Sequence, residues 1–372
     1  MKIVSIEAIP VEVPRSSKTR IVASYSSLPS AKFVIAVVRT DDGVEGIGEA
    51  SPEYQWTGED EQTCVTAINT YLAPKLVGRD PRRITENLAA MDAILAYNPY
   101  AKSAIEMALW DITGKLAKMP LSDVWGGRVR DGVHVKFVVS GTPERAAELA
   151  LKLVDTGFRY IKIKTGVGGV ESDIARVTAV RKALPATIPI GVDSNQGWSL
   201  REAYRALPAL EELGVSFIEQ PFNRHPMENL VEYRRRSRIP LVAHESLFTL
   251  NDALELMTRR AVDIWAITPG THAGYTMTRD ILSLSKAATI PCLLGSTLEL
   301  GINSAFMAQI GLSAPSIDGT VPSDIIGPFY HDRDIIQEKF ELVDGLIVPP
   351  MGPGLGVTLD WDAIRQYRSD GK

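Results

Sequence analysis

The chain has 372 residues, 45% hydrophobic and 23% charged, an ordinary composition for a globular protein with ample material for a large core. A formal net charge of −5 argues against a nucleic-acid partner, and two cysteines, Cys64 and Cys292, exclude a disulfide framework or a cysteine-built metal cluster. The opening MKIVSIEAIPVEVP alternates like a strand rather than a signal peptide, and no apolar run approaches the roughly 20 residues of a membrane helix, so a soluble cytoplasmic protein is expected.

Residues 1–125 read as an α+β unit. Strands are expected over 3–13, 32–40 and 44–49, with Asp42-Gly43 turning the last two into a hairpin. A helix is expected over 101–116, where Ile105, Ala108, Leu109, Ile112 and Leu116 recur at helical spacing.

From about His134 the pattern alternates strand and helix. Short apolar runs over 134–139, 160–164, 188–193, 216–219, 240–244, 263–268 and 291–295 are each followed by an amphipathic stretch. Several of these stretches open with caps, such as Thr142-Pro143 and the Ser199–Glu202 capping box. The strand ends recur at intervals of about 23 to 29 residues, the length of one βα unit. Seven units, with a weaker eighth near 317–324, predict a modified (β/α)8 barrel over 126–330. An open doubly wound sheet would ordinarily carry a glycine-rich phosphate turn after its first strand, and the sequence has none. The final segment, 331–372, contains a Gly- and Pro-rich stretch (345–356) and a short strand at 357–359, and is expected to return to the first unit.

Polar residues sit where the barrel strands end, and in such a barrel those ends converge on one mouth. Strand two ends in Lys162-Ile163-Lys164, and alternation turns both lysines the same way. Facing the mouth, they need anions, and their mutual repulsion lowers one pKa towards that of a useful base. An isolated pair of this kind more often faces outward between barrel and helices, solvated; the carboxylates reverse that reading. Asp193, Glu219 and Glu245 end strands three, four and five; singly each reads as a loop acid, but together they repel unless a divalent cation sits among them. Oxygen ligands suit Mg2+ or Mn2+.

The ordered set Lys162-Ile-Lys164, Asp193-Ser-Asn195, Ile218-Glu219-Gln220-Pro221, His244-Glu245-Ser246 and Gly352-Pro-Gly-Leu-Gly356 resembles the enolase superfamily, in particular its mandelate racemase and muconate lactonizing enzyme branches. The resemblance spans essentially the whole chain, including a capping unit with Asp42–Glu49 and Ala101–Gly126 in the expected places. It implies a divalent cation that binds the carboxylate of a small-molecule substrate, a base that removes the α-proton, and an enediolate intermediate. By analogy, Lys164 is the base and Lys162 tunes it and helps hold the carboxylate. Relatives are dimers or octamers, so a homo-oligomer is expected.

The sequence also departs from that pattern. The muconate branch usually ends strand six in a second lysine, and the racemase branch has Asp and His ending strands six and seven; this chain has Thr268 and Gly295 there. His272, four residues beyond Thr268, is a candidate second acid–base group or else a cap for the following helix. Asp324 is a candidate for binding a substrate ammonium or hydroxyl. The third metal ligand is either His244, which stands where the muconate branch has Asp, or Glu245, which matches the racemase branch. A carboxylate suits Mg2+ better; His244 would favour Mn2+ or another transition metal. Cap loops over 21–28 and 51–56 would supply substrate contacts through Tyr25, Glu53, Tyr54 and Trp56, with Thr268 and Glu299 as further candidates.

One base suffices for elimination, whereas racemisation needs an acid on the opposite face. The expected reaction is therefore dehydration of a hydroxy acid or hydroxy amino acid. The alternatives are a racemase, epimerase or cycloisomerase using His272 or His244, and a non-catalytic relative that binds metal and a carboxylate.

Overall fold

A computed structural model describes residues 1–17, 19, 21 and 29–371. Three antiparallel strands, β1 (Ile3–Pro14), β2 (Ser30–Thr40) and β3 (Glu45–Ala50), form the cap sheet in the order β1-β2-β3. The β2–β3 hairpin turns at Gly43, whose φ of 84° favours glycine. Both faces of the sheet are buried. Ile9, Val11, Phe33 and Ile35 join the main core, while Ala8, Val34, Ala36 and Val38 face a second core built around the helix Pro99–Ala117. Glycines set how closely that helix approaches. A Cβ at Gly48 would stand 1.9 Å from the Ala104 carbonyl oxygen, and one at Gly46 2.1 Å from that of Ala108.

The barrel is a seven-stranded parallel sheet with its strands in chain order. Its strands are Phe137–Val139, Ile161–Lys164, Ile190–Asp193, Ile218–Glu219, Leu241–Ala243, Ile264–Ile267 and Cys292–Leu294. Tyr160, Phe217, Val242, Ile264, Ala266, Leu293 and Val321 fill its interior, and a Cβ at Gly191 would lie 2.1 Å from the Phe217 ring. The eighth position is a backbone bridge rather than a regular strand. Ser323 N–H donates to His134 O at 2.8 Å, Lys136 N–H to Ser323 O at 3.0 Å, and Asp324 N–H to Leu294 O at 2.7 Å. Pro322 has no N–H to extend this ladder. The fold is thus a modified (β/α)8 barrel with an N-terminal α+β cap.

The helix caps follow the sequence reading: Thr142 accepts from Arg145 N–H, and Ser199 and Glu202 form a capping box. The C-terminal segment differs from expectation. Residues 357–359 make only an isolated bridge, Ile336↔Leu359, while Glu341–Val343 and Leu346–Val348 form a small sheet with Val133–His134. A terminal helix, Trp361–Tyr367, leads back to the cap, where Ser369 N–H donates to Pro10 O at 3.1 Å. No helix among the described residues is long and apolar enough to cross a membrane.

Candidate active site

Strand alternation decides which side chains reach the mouth. In the second strand Ile161 and Ile163 pack outward into the main core, which turns Lys162 and Lys164 inward. Asp193 and Glu219 continue this inward row on the next two strands, in register as Lys164↔Asp193 and Asp193↔Glu219. A cavity between barrel and cap is lined by Lys162, Lys164, Asp193, Asn195, His244 and Asp324 from the barrel, by Ser296, Thr297 and Leu298 from the loop after the seventh strand, and by Arg15, Glu53 and Trp56 from the cap.

The lysines are paired with the acids. Lys162 Nζ donates to Glu219 Oε1 and Oε2 at 3.1 and 3.0 Å and to Asp324 Oδ2 at 2.9 Å, and lies 3.4 Å from Asp193 Oδ2. Burial alone would lower its pKa; Asp324, Glu219 and Asp193 outweigh burial and hold it well above the ordinary value. Lys162 is therefore not the lysine that mutual repulsion could pull down, because carboxylates surround its ammonium. Glu219 is correspondingly held well below the usual carboxylate range, because Lys162 and His244 overcome its burial. Lys164 Nζ donates to Asp193 Oδ2 at 2.7 Å and also contacts Asn195 Oδ1.

His244 lies in the cavity wall. Its Nδ1 is 3.0 Å from Glu219 Oε1 and its Nε2 is 2.8 Å from Thr268 Oγ1. Because Glu219 is ionised and can only accept, Nδ1 carries the proton. The indole of Trp56 meets the imidazole edge-on, centroids 4.8 Å apart. Gly295 makes room for this arrangement, since a Cβ there would lie 2.4 Å from His244 Nε2 and 2.8 Å from Thr268 Oγ1. Glu245 is one residue further on, accepting from Asn195 Nδ2 at 3.0 Å through Oε1, while Oε2 is buried without a hydrogen-bond partner. Burial, reinforced by the charge of Asp193, pushes the Glu245 carboxyl up to about 7.

The donor set fits a hard divalent cation in its chemistry. It offers buried carboxylates, one with an orphaned oxygen whose ionisation a nearby cation would favour. The side chains are not drawn into a finished cage. Among the described residues no three His, Cys, Asp or Glu converge to hold a metal, and Lys162 supplies the positive charge between Asp193 and Glu219.

Other expected residues fall elsewhere. His272 is fully buried, with Nε2 3.1 Å from Leu247 O, and burial lowers its pKa to about 4. It does not line the cavity, which corrects its candidacy as a second acid–base group. Glu299 is likewise fully buried, between barrel and cap, accepting from Ser296 Oγ at 2.7 Å and Thr297 N–H at 3.2 Å, and so is not placed to touch substrate. Tyr54 is exposed outside the cavity, whereas Thr268 reaches it only through His244. Tyr25 lies outside the described residues. Sequence reasoning missed Arg15 and Lys136; the latter is a lone charge in the apolar run VHVKFVV, which is the one signal that could have exposed it.

Comparison with known proteins settles the ancestry of this mouth. Residues 5–126 match the mandelate racemase/muconate lactonizing enzyme N-terminal domain, and residues 145–363 match the enolase C-terminal domain-like model. The chain belongs to the mandelate racemase/muconate lactonizing enzyme family of the enolase superfamily. It is 31% identical to muconate cycloisomerase 1 of Rhodococcus opacus, over 99% of this chain and 98% of that one. It is 30% identical to the L-Ala-D/L-Glu epimerase of Bacillus subtilis, over 96% and 97% of the two chains. The crystal structure of 2-chloromuconate cycloisomerase from Rhodococcus opacus superposes with a TM-score of 0.94 at 32% identity, covering all of both chains. The protein is therefore an enzyme of a divalent-metal-dependent superfamily whose members remove a proton beside a carboxylate. The relatives are isomerases, which favours the isomerase alternative over dehydration.

Proposed function

We propose that this enzyme is a one-base isomerase of the cycloisomerase type. It interconverts an unsaturated carboxylate and its cyclised form by intramolecular addition across the double bond and the reverse elimination. The observation that carries this reading is the pairing of an inward Lys164 with a strand-six end that offers Thr268 in place of an ammonium. Addition and elimination need a proton moved on one face only, whereas epimerisation needs a donor on each.

In the elimination direction Lys164 Nζ takes the proton from the α-carbon, the bond between the β-carbon and the ring oxygen breaks, and the departing oxygen remains in the same molecule. In the addition direction the oxygen attacks the β-carbon and Lys164 returns the proton to the α-carbon. Lys162 faces the substrate carboxylate, and Arg15 on the cap suits a second carboxylate at the far end, as in muconate. Asp193, Glu219 and Glu245 would hold the cation; their oxygens suit Mg2+. When bound, the cation supplies positive charge beside the carboxylate oxygens, where negative charge collects as the α-proton leaves. Trp56 and the cap close the mouth and limit access of water to the charged groups.

The test is NMR in D2O with cis,cis-muconate and a panel of related dienoic acids and lactones. The proposal expects deuterium at the α-carbon of the cyclised compound with one configuration only. Exchange accompanied by inversion would establish an epimerase instead, and water loss from a hydroxy acid a dehydratase.

A further inference from the structure

Lys136 precedes the first barrel strand, and its side chain is wholly buried in the barrel beneath the mouth. Alternation turns it inward, since Phe137 beside it packs outward into the main core. Its Nζ lies 3.0 Å from Asp324 Oδ2, contacts the Pro322 carbonyl, and stands 5.6 Å from the centre of the Phe217 ring. The same Asp324 oxygen accepts from Lys162 at 2.9 Å, so one carboxylate oxygen is shared by two ammonium groups. Asp324 Oδ1 is buried without a partner. A buried lysine is costly, and one that does not line the cavity at the mouth needs a reason.

We propose that Lys136 is a positioning residue that neutralises Asp324 from below, so that Lys162 remains shared with Glu219 and Asp193 at the mouth. This rests on the carboxylate-and-cation reading of the mouth given above. Three lysines, Lys136, Lys162 and Lys164, stand among four acids, Asp193, Glu219, Glu245 and Asp324. With the acids ionised, adding a divalent cation and one substrate carboxylate balances the charges of this group. Without Lys136 one negative charge is left over. Lys162 is then drawn towards Asp324, and the mouth becomes more attractive to cations and less attractive to carboxylates.

The sign of that change separates the role from a purely structural one. Calorimetric titration with Mg2+ alone is made on the wild type, Lys136→Met and Lys136→Met/Asp324→Asn, with thermal unfolding confirming that each is folded. A unit charge about 10 Å from a divalent cation, at an effective permittivity between about 20 and the roughly 80 of water, alters binding by about tenfold or more. The expected result is Mg2+ bound about tenfold more tightly by Lys136→Met, with the double variant back near the wild-type affinity. Unchanged or weaker binding by Lys136→Met overturns the inference, because loss of packing alone would not tighten a cation site. If Lys136→Met does not fold, Asp324→Asn serves: it should bind Mg2+ about tenfold more weakly, and unaltered binding overturns the inference. A wild type that binds no Mg2+ at all defeats the function proposed above, and this inference with it.

Discussion

Thr268 Oγ1 and His244 Nε2 lie 2.8 Å apart, joining the end of the sixth barrel strand to the end of the fifth. With Nδ1 engaged by Glu219, both ring nitrogens of His244 are committed to the protein. The His244 side of the mouth is therefore a fixed hydrogen-bonded wall, which is why the proposed function gives proton transfer to Lys164.

Thr268→Val removes one of those partners and leaves a buried imidazole nitrogen unsatisfied. The expected cost is about 1–3 kcal/mol of stability, read from urea denaturation. Proton exchange should persist within several-fold, because Lys164 is untouched. Complete loss of exchange in a folded Thr268→Val protein would show that the hydroxyl itself takes part in the chemistry.

Gly295→Ala places a methyl group against the same pair, 2.4 Å from His244 Nε2 before any relaxation. Overpacking of this kind costs about 1–3 kcal/mol. The damage should shrink when His244 is shortened to Asn, giving non-additive stabilities in a double-mutant cycle. Simple additivity would mean that the methyl group is accommodated elsewhere.

Glu245 and His244 make different claims on the cation. Glu245→Gln removes the carboxylate with the orphaned oxygen and should weaken Mg2+ binding at least tenfold, whereas His244→Asn should weaken it less. Calorimetry ranks the two, and the reverse order would make His244 the ligand. Chelation should abolish proton exchange without unfolding the chain, because Lys162 already counters Asp193 and Glu219; circular dichroism and recovery with Mg2+ check this.

Between cap and barrel, burial pushes Glu299 up to about 8 and Glu49 up to about 7. Glu49 accepts N–H groups from Leu300 and Asn303 at 2.7 and 2.9 Å, but these do not offset its burial. A carboxyl whose pKa is raised by folding binds its proton more tightly in the native state. Its contribution is full below the ordinary value of 4.5 and is lost as pH rises through the folded value. Wild-type Tm should therefore fall from pH 5 to 8 relative to Glu299→Gln, in which that part of the slope is gone. Parallel Tm curves for the two proteins would contradict the assignment.

The barrel was legible because most strand ends carry a polar residue at a regular interval, and the inward row Lys162, Lys164, Asp193, Glu219 follows from alternation. Alternation also puts His244 rather than Glu245 in the cavity wall, while Glu245 meets the site from one residue further on, through Asn195. What sequence could not reveal were contacts between distant segments. His272 is buried against Leu247, and Glu299 is sealed beneath the cap by Ser296 and Thr297. Lys136 looked like a break in an apolar strand until Asp324, far away in sequence, was brought within 3.0 Å of it. The small sheet that Glu341–Val343 and Leu346–Val348 make with Val133–His134 escaped for the same reason, since its pairing joins residues some 200 positions apart.

The claim on which all of this turns is that the amine of Lys164 carries the α-proton. Its most direct test is the rate of solvent deuterium incorporation at the carbon beside the substrate carboxylate, measured by NMR for the wild type and for Lys164→Ala with Mg2+ present. The account predicts steady incorporation by the wild type and a loss of about a hundredfold or more in the variant, a general base contributing on the order of 10²–10⁴, with the fold retained and Mg2+ bound at least as tightly, since Lys164 pairs with Asp193. Incorporation at the wild-type rate by a folded Lys164→Ala enzyme would place the base on another residue.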